Sequence, residues 1–550
     1  MKDPTLRSAD MTEGSERTAH RALFYSLGVP QSDFHKPMIA IVNSWNEIVP
    51  GCKHLPMISQ SVKAGVYASG GIPYEFNTIA VCDGMAQGHI GMRYSLPSRE
   101  IIAASAEIML EAHRFDGAVF ISSCDKVTPG MLMCAARVNI PSVFVCAGAM
   151  LAGVYDGKKQ TLSTMREYAG KYQKGELSLS QLQVAEEAAC PSLGSCSMMG
   201  TANTMACITE ALGLSHPESA SVFALSSQKL REAQWAGERV VRLVEEGLRP
   251  RDIMTAAAFE NAIRVSMAIG ASTNCVIHIP AIAKEAGISV SNDDFERIGS
   301  LTPTIAKINP SGSDTLDEFQ KAGGVPAVMA SLRDSLNLSE KTVCGCDISA
   351  IAEGARWADK NIIRPVDKAF DTEGGLKILY GNLAPEGAIC KRSACKEDMW
   401  KHSGPARVFD SMEEATEAVR VDSIQPGSVI VIRYEGRIGG PGMREMQMIT
   451  AMIVGSGLAD NTALITDGRF SGSTRGPCIG YISPEAAVGG PLAVIKDGEI
   501  ISLDLVEGTL NVDLSDEEIS RRQSEFKPPE RELGGVLKMF VDSVKADNAC

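Results

Sequence analysis

Four short apolar runs, separated by longer amphipathic stretches, constrain this chain more than any other feature. PMIAIVNSW (Pro37 to Trp45), FNTIAVCDG (Phe76 to Gly84), GAVFISSCDK (Gly117 to Lys126) and PSVFVCAGA (Pro141 to Ala149) are of strand length and rich in β-branched residues. Between them, segments such as Arg99 to Arg114 and Met131 to Asn139 carry apolar residues at helical spacing. Strands alternating with helices imply a parallel sheet, because a parallel neighbour can be reached only through a long crossover. The first three runs end in residues able to do chemistry, and open α/β sheets hold their ligands just beyond the carboxyl ends of the strands. An N-terminal parallel-sheet α/β domain with a site at that edge is therefore expected.

Residues Leu177 to about Lys284 continue in a helical pattern, and the glycine-rich FDTEGGLKILYGNLAP (Phe370 to Pro385) marks a change of character. The sequence predicts one domain over residues 1–375 and a second over 376–550. Its 550 residues exceed what one core usually organises. The second part contains SVIVIRY (Ser428 to Tyr434), TALIT (Thr462 to Thr466) and LAVIKDGEIISLDL (Leu492 to Leu505), whose Asp497-Gly498 pair predicts a hairpin. A C-terminal β-rich, barrel-like domain follows, with a charged tail that is helical or peripheral.

A formal net charge of -14 disfavours a nucleic-acid partner, which would need clustered Lys and Arg. No stretch approaches the roughly 20 apolar residues of a bilayer span, and the polar start lacks the apolar run of a secretion signal. A cytoplasmic location with no membrane partner is the expectation. The 15 cysteines are scattered, without the dense spacing of a disulfide framework, so most should be free thiols or ligands.

SSCDKVTPGMLM (Ser122 to Met133) sets a thiol, a carboxylate and an amine side by side at a strand end. Thiolate suits soft metals or iron-sulfur clusters and carboxylate suits hard cations, so Cys124 and Asp125 could serve two metals. Read alone, the segment is equally compatible with a capping Asp and a solvated Lys126. CPSLGSCSMMGTANTMA (Cys190 to Ala206) adds Cys196 ahead of a small-residue helix start, where thiolate is stabilised, although buried structural cysteine is the commoner fate of a thiol. VCDGMAQGH brings Asp83, for which a plain Asp-Gly turn is the alternative, and NEIVPGC brings Glu47 and Cys52 to the same sheet edge. In the second part, GRIGGPGMREM carries Glu445 and ITDGRFSGSTRG carries Ser471. Neither fits the dinucleotide, P-loop or hydrolase-elbow fingerprints, and both could be plain flexible loops. Cys344 with Cys346, and Cys390 with Cys395, lack zinc-site spacing.

Taken together, SSCDKVTPG, GSCSMMGTANTM, GGPGMREM and TDGRFSG, in this order, resemble the dihydroxy-acid and sugar-acid iron-sulfur dehydratase family, and the likeness extends from about Arg7 to Leu505. The resemblance implies an iron-sulfur cluster held by Cys124 and Cys196, [2Fe-2S] where a third thiol joins them. It further implies Mg²⁺ held by Asp83, Asp125, Glu445 and a carbamylated Lys126, with Ser471 as the base, and a homodimer or dimer of dimers. Two positions depart from the family pattern. Gly51 stands where the [2Fe-2S] branch has its first cysteine, which leaves Cys52, one place later, as the candidate third ligand. Ala271 replaces a second glycine in GASTN (Gly270 to Asn274). Within the family, VCDG and the uninterrupted GGPGMREM resemble the branch acting on 2,3-dihydroxy-3-methylbutanoate and its pentanoate homologue in valine and isoleucine synthesis. MGTANTM also resembles the sugar-acid branch, which leaves an aldonate such as gluconate or arabinonate as the alternative substrate. An electron carrier using the cluster alone would leave Asp83, Lys126, Glu445 and Ser471 without a task.

Overall fold

The computed structural model describes residues 6–548 except residue 473; for residues 166, 167, 173, 547 and 548 it describes the backbone alone. Four strands, β1 (Met38–Asn43), β2 (Ile72–Asn77), β3 (Gly117–Ser122) and β4 (Ser142–Cys146), form a parallel sheet in the order β2-β1-β3-β4. β1, β3 and β4 are buried along their whole length, which explains their continuous apolar character. Helices Leu55–Ala68, Ser95–Ala112 and Val127–Val138 make the crossovers.

The second strand lies earlier than its apolar run suggests. β2 pairs with β1 from Met38↔Ile72 to Asn43↔Asn77, and β1 ends there, so Thr78 onward has no strand to pair with. The chain then leaves the sheet, and Asp83 opens a short helix, Asp83–Ala86, instead of ending a strand.

Helix Ser227–Glu246 packs across Leu55–Ala68 at a glycine pair. A Cβ on Gly65 would fall 2.0 Å from the Gln234 carbonyl oxygen, and one on Gly237 would fall 2.1 Å from that of Val62, so the two backbones touch where any side chain would hold them apart.

The second half closes into an eight-stranded barrel. Around it run Val429–Ile432, Ala463–Thr466, Cys478–Ser483, Ala384–Cys390, Lys377–Gly381, Thr509–Val512, Ile500–Asp504 and Lys401–Phe409. Period-two alternation divides the strand residues between two cores: Val429, Val431 and Ile465 point into the barrel, whereas Ile430, Ile432 and Leu464 pack outward among Met412, Val419, Ile449 and Ile453. The hairpin joins Ile500–Asp504 to Thr509–Val512, not the arms flanking Asp497-Gly498. Leu492 to Val494 instead coil into a short 3-10 turn that plugs the barrel core. The last helix, Gly535–Asn548, returns to the first core through Phe540, Val541 and Val544. No helix among the described residues is long and apolar enough to cross a membrane.

Candidate metal centre

Three carboxylates meet beyond the carboxyl edge of the sheet. Asp83, Asp125 and Glu445 each offer an oxygen within 4.8 Å of the others. Asp125 follows β3, while Glu445 reaches in from the loop after barrel strand Val429–Ile432. Two buried cations face them: Lys126 Nζ donates to Asp83 Oδ2 at 2.7 Å, and Arg469 pairs with Glu445 and lies 3.6 Å from Asp83 Oδ2. Ser95 Oγ donates to Asp83 at 2.6 Å, Gln87 Nε2 to Glu445 at 2.8 Å and Asn274 Nδ2 to Glu445 at 3.0 Å.

These contacts divide the acids electrostatically. Burial alone would raise Asp83, but the charges of Lys126 and Arg469 override it and hold its carboxyl below the usual range. Among the described residues Asp125 accepts no hydrogen bond, and burial together with the neighbouring Asp83 charge pushes it up to about 7. Three converging acids face two cations, and among the described residues Asp125 pairs directly with neither, feeling Lys126 and Arg469 only at a distance. Hard oxygen donors in this arrangement fit a Mg²⁺-sized cation.

The thiols lie alongside. Cys124 adopts a positive φ of 72°, a conformation that redirects the chain just where the strand ends. It shares a hydrogen bond with the fully buried Cys52, which lowers the Cys52 thiol and raises that of Cys124. Gly51 makes room for the Cys124 side chain, since a Cβ there would fall 2.9 Å from Cys124 Sγ and 2.6 Å from Ser123 Oγ. Cys196 sits on a loop tied to the same edge: Gly194 N donates to Pro50 O at 3.2 Å, and Met150 N donates to Ser195 O at 2.8 Å. The Ser123 and Ser197 hydroxyls, each adjacent in sequence to one of these cysteines, and His54 Nδ1 are buried without a nitrogen or oxygen partner. Ser123 is directed at the Cys52 sulfur, and buried donors that find sulfur, or no oxygen or nitrogen, among the described residues fit a sulfide-rich group, to which they would donate.

Ser471, 8% exposed, lies in the loop between Ala463–Thr466 and Cys478–Ser483. That loop is pressed onto the first half of the chain: a Cβ on Gly472 would fall 2.9 Å from Gly200 Cα, and Thr273 Oγ1 donates to Phe470 O at 3.4 Å. Arg469, two residues before Ser471, ties the same loop to the carboxylates. Ala271 is fully buried just before Ser272 and Thr273, so it belongs to the floor beneath this loop.

Sequence reading missed Arg469, Asn274, Gln87 and Ser95. The first three lie inside motifs it had singled out, where a buried Arg or Asn could have signalled a charge to be matched. Among the described residues Cys190, Cys344, Cys346, Cys390 and Cys395 do not join the carboxylate group. Beside Gly84, Gln87 and Gln447 opens a cavity of about 670 Å³ whose walls are largely apolar, including Leu162, Met165, Leu182, Met448 and Met452.

Comparison with known proteins finds relatives along nearly the whole chain. The dihydroxy-acid/6-phosphogluconate dehydratase N-terminal family matches residues 36–351, and its C-terminal counterpart matches 361–549. Among similar proteins, a dihydroxy-acid dehydratase of Methanospirillum hungatei is 49% identical over 98% of both chains. Namesakes from Methanosarcina barkeri and Moorella thermoacetica are each 47% identical, over 99% and 98% of both chains respectively.

Proposed function

The chain belongs to the dihydroxy-acid/6-phosphogluconate dehydratase family, and from that premise we propose that it is a hydro-lyase converting 2,3-dihydroxy-3-methylbutanoate and its 3-methylpentanoate homologue to 2-keto acids in valine and isoleucine synthesis. The observation that carries the reading is the convergence of Asp83, Asp125 and Glu445 within 4.8 Å beside the Cys52–Cys124 thiol pair. The largely apolar cavity wall supports a methyl-bearing substrate over a sugar acid.

Asp83, Asp125 and Glu445 would hold Mg²⁺, with Lys126 completing the set as a carbamate. Carbamylation turns an ammonium that opposes a cation into an anionic oxygen donor. Cys124, Cys196 and Cys52 would hold the iron-sulfur cluster, read as [2Fe-2S]. When bound, the two groups supply Lewis acidity, acidifying the C2 proton and easing departure of the C3 hydroxyl. Arg469 and Asn274 fix Glu445 in place, and Ser95 does the same for Asp83. Ser471, as the alkoxide, takes the proton from C2 as the C3–O bond breaks and passes it to the departing hydroxide, which leaves as water while the alkoxide is restored. The enol formed between C2 and C3 tautomerises to the 2-keto acid, with no net redox change.

The apolar surface around edge strand β2 supports self-association. Ile48 is 72% exposed, Ile79 49% and Ile108 65%, beside a row of unpaired backbone groups. We read the protein as a cytoplasmic homodimer or dimer of dimers.

Anaerobically purified protein should act on 2,3-dihydroxy-3-methylbutanoate in preference to gluconate and arabinonate. Preference for either sugar acid overturns the substrate assignment. A Ser471→Ala variant should keep its cluster and lose dehydration; full activity in that variant overturns the mechanism.

A further inference from the structure

Lys391 is a buried cation that the chemistry above leaves without a task. It follows barrel strand Ala384–Cys390, and the whole residue is 3% exposed. Among the described residues it has no carboxylate partner, and its single hydrogen bond runs from Nζ to the carbonyl of Gly472 at 3.0 Å, one residue beyond Ser471. Burying an ammonium against one neutral carbonyl is unfavourable, and burial pushes Lys391 down to about 7, opposed only by Cys275 from helix Cys275–Glu285. Placement of this kind is kept only where the rest of the fold enforces it.

The same turn grips the far end of the loop. Gly476 N donates to Ala394 O at 3.1 Å, and the Cys395 thiol donates to Gly476 O at 2.9 Å. The turn is itself anchored, since Ser393 N donates to Gly375 O at 3.1 Å, and Arg392 pairs with Glu373 while stacking on the Trp400 ring at 4.2 Å. Residues Lys391 to Cys395 thus form a rigid bracket whose two ends hold Gly472 and Gly476. The opposite face of the loop is closed by Gly200.

We propose that Lys391 is a positioning residue for the dehydration: through the Gly472 carbonyl its ammonium fixes the Ser471 loop and places a buried positive charge beside the serine. The inference rests on the reading of Ser471 as the base. A cation next to a hydroxyl favours the ionised form that a base requires, and a displacement of about 1 Å at the reacting centre can reduce turnover on the order of 10²-fold. Among the described residues Lys391 pairs with none of the carboxylates and reaches the site only through Gly472, so its loss should act on turnover and not on substrate binding.

The test uses the cluster- and Mg²⁺-loaded enzyme, with kcat expressed per cluster. Lys391→Met should lower kcat on the order of 100-fold, with KM within about threefold of wild type and unchanged cluster absorbance and metal content. Lys391→Arg, which keeps the charge and the donor, should return kcat to within about tenfold. Where the Met variant does not fold, Lys391→Gln, which keeps a donor but no charge, is judged by the same criteria. Wild-type kcat in the uncharged variant, or a rise in KM that accounts for the whole loss, overturns the proposal. Ser471→Ala run in parallel separates the two readings. If that variant stays active, the serine assignment fails; if it is inactive while Lys391→Met is unimpaired, the lysine inference alone fails.

Discussion

Replacing Arg469 with Met removes the cation that binds the centre together, and the structure sets the size of the effect. The guanidinium is fully buried, pairs with Glu445, approaches Asp83 to 3.6 Å, donates to Met443 O at 2.6 Å and reaches Asn274 Oδ1 at 3.2 Å. Removing one partner of a buried ion pair typically costs about 3 to 5 kcal/mol, because the remaining charge stays buried. Here no solvent screens the loss, and three carboxylates would face Lys126 alone. Arg469→Met should therefore lose about 3 to 5 kcal/mol in denaturant unfolding of the metal-free protein. The same excess negative charge should draw Mg²⁺ in more strongly. For either protein, Mg²⁺ at 100 times its dissociation constant adds about 2.7 kcal/mol. At a fixed Mg²⁺ concentration the variant should therefore gain more than wild type, and the gap between the two should narrow. A loss under about 1 kcal/mol would refute the claim that Arg469 balances the acids. A gap that Mg²⁺ leaves unchanged would refute the claim that this is where the cation sits.

Gly51→Ala should displace Cys124, because the added methyl would lie 2.9 Å from its sulfur; iron and sulfide per chain should fall while far-ultraviolet circular dichroism is retained. Gly472→Ala drives a Cβ to 2.9 Å from Gly200 Cα, so kcat should drop on the order of 100-fold, read by steady-state kinetics with metal content held constant. His278 is buried and its imidazole is held well below its ordinary range by burial and then by Arg99, so it stays neutral while the unfolded chain takes up a proton. Because its folded value is depressed, it costs stability as pH falls below about 6.5, at up to about 1.4 kcal/mol per pH unit, and His278→Gln should flatten the acid limb of unfolding midpoint against pH.

How far the sequence could be read depends on how local each feature is. β1, β3 and β4 were legible because a strand buried on both faces needs an uninterrupted apolar run, visible without knowing its neighbours. β2 was misplaced because the run through Phe76 to Gly84 is apolar for a different reason: after the pairing partner has ended, Ala80 and Cys82 pack against the first core from outside the sheet. The Asp497-Gly498 pair does form a turn, with Gly498 at φ 86°, but strand partners are chosen by closure of the barrel and not by the turn.

By itself the sequence determined the chemistry at the end of β3, since Cys124, Asp125 and Lys126 are consecutive and any strand ending there must present all three at one edge. It also determined that an acid and a serine lay in glycine-rich loops further on. Only the tertiary structure decided that Asp83, Asp125 and Glu445 meet. Gln87 and Glu445 meet across 358 residues, Asn274 and Glu445 across 171, and Ser95 and Arg469 across 374. The tertiary structure also decided which charges balance which, giving Arg469 to Glu445 and Asp83, Lys126 to Asp83, and, among the described residues, no direct ion pair to Asp125. Charge balance in a buried site depends on distance and desolvation, and neither is written in the order of residues along the chain.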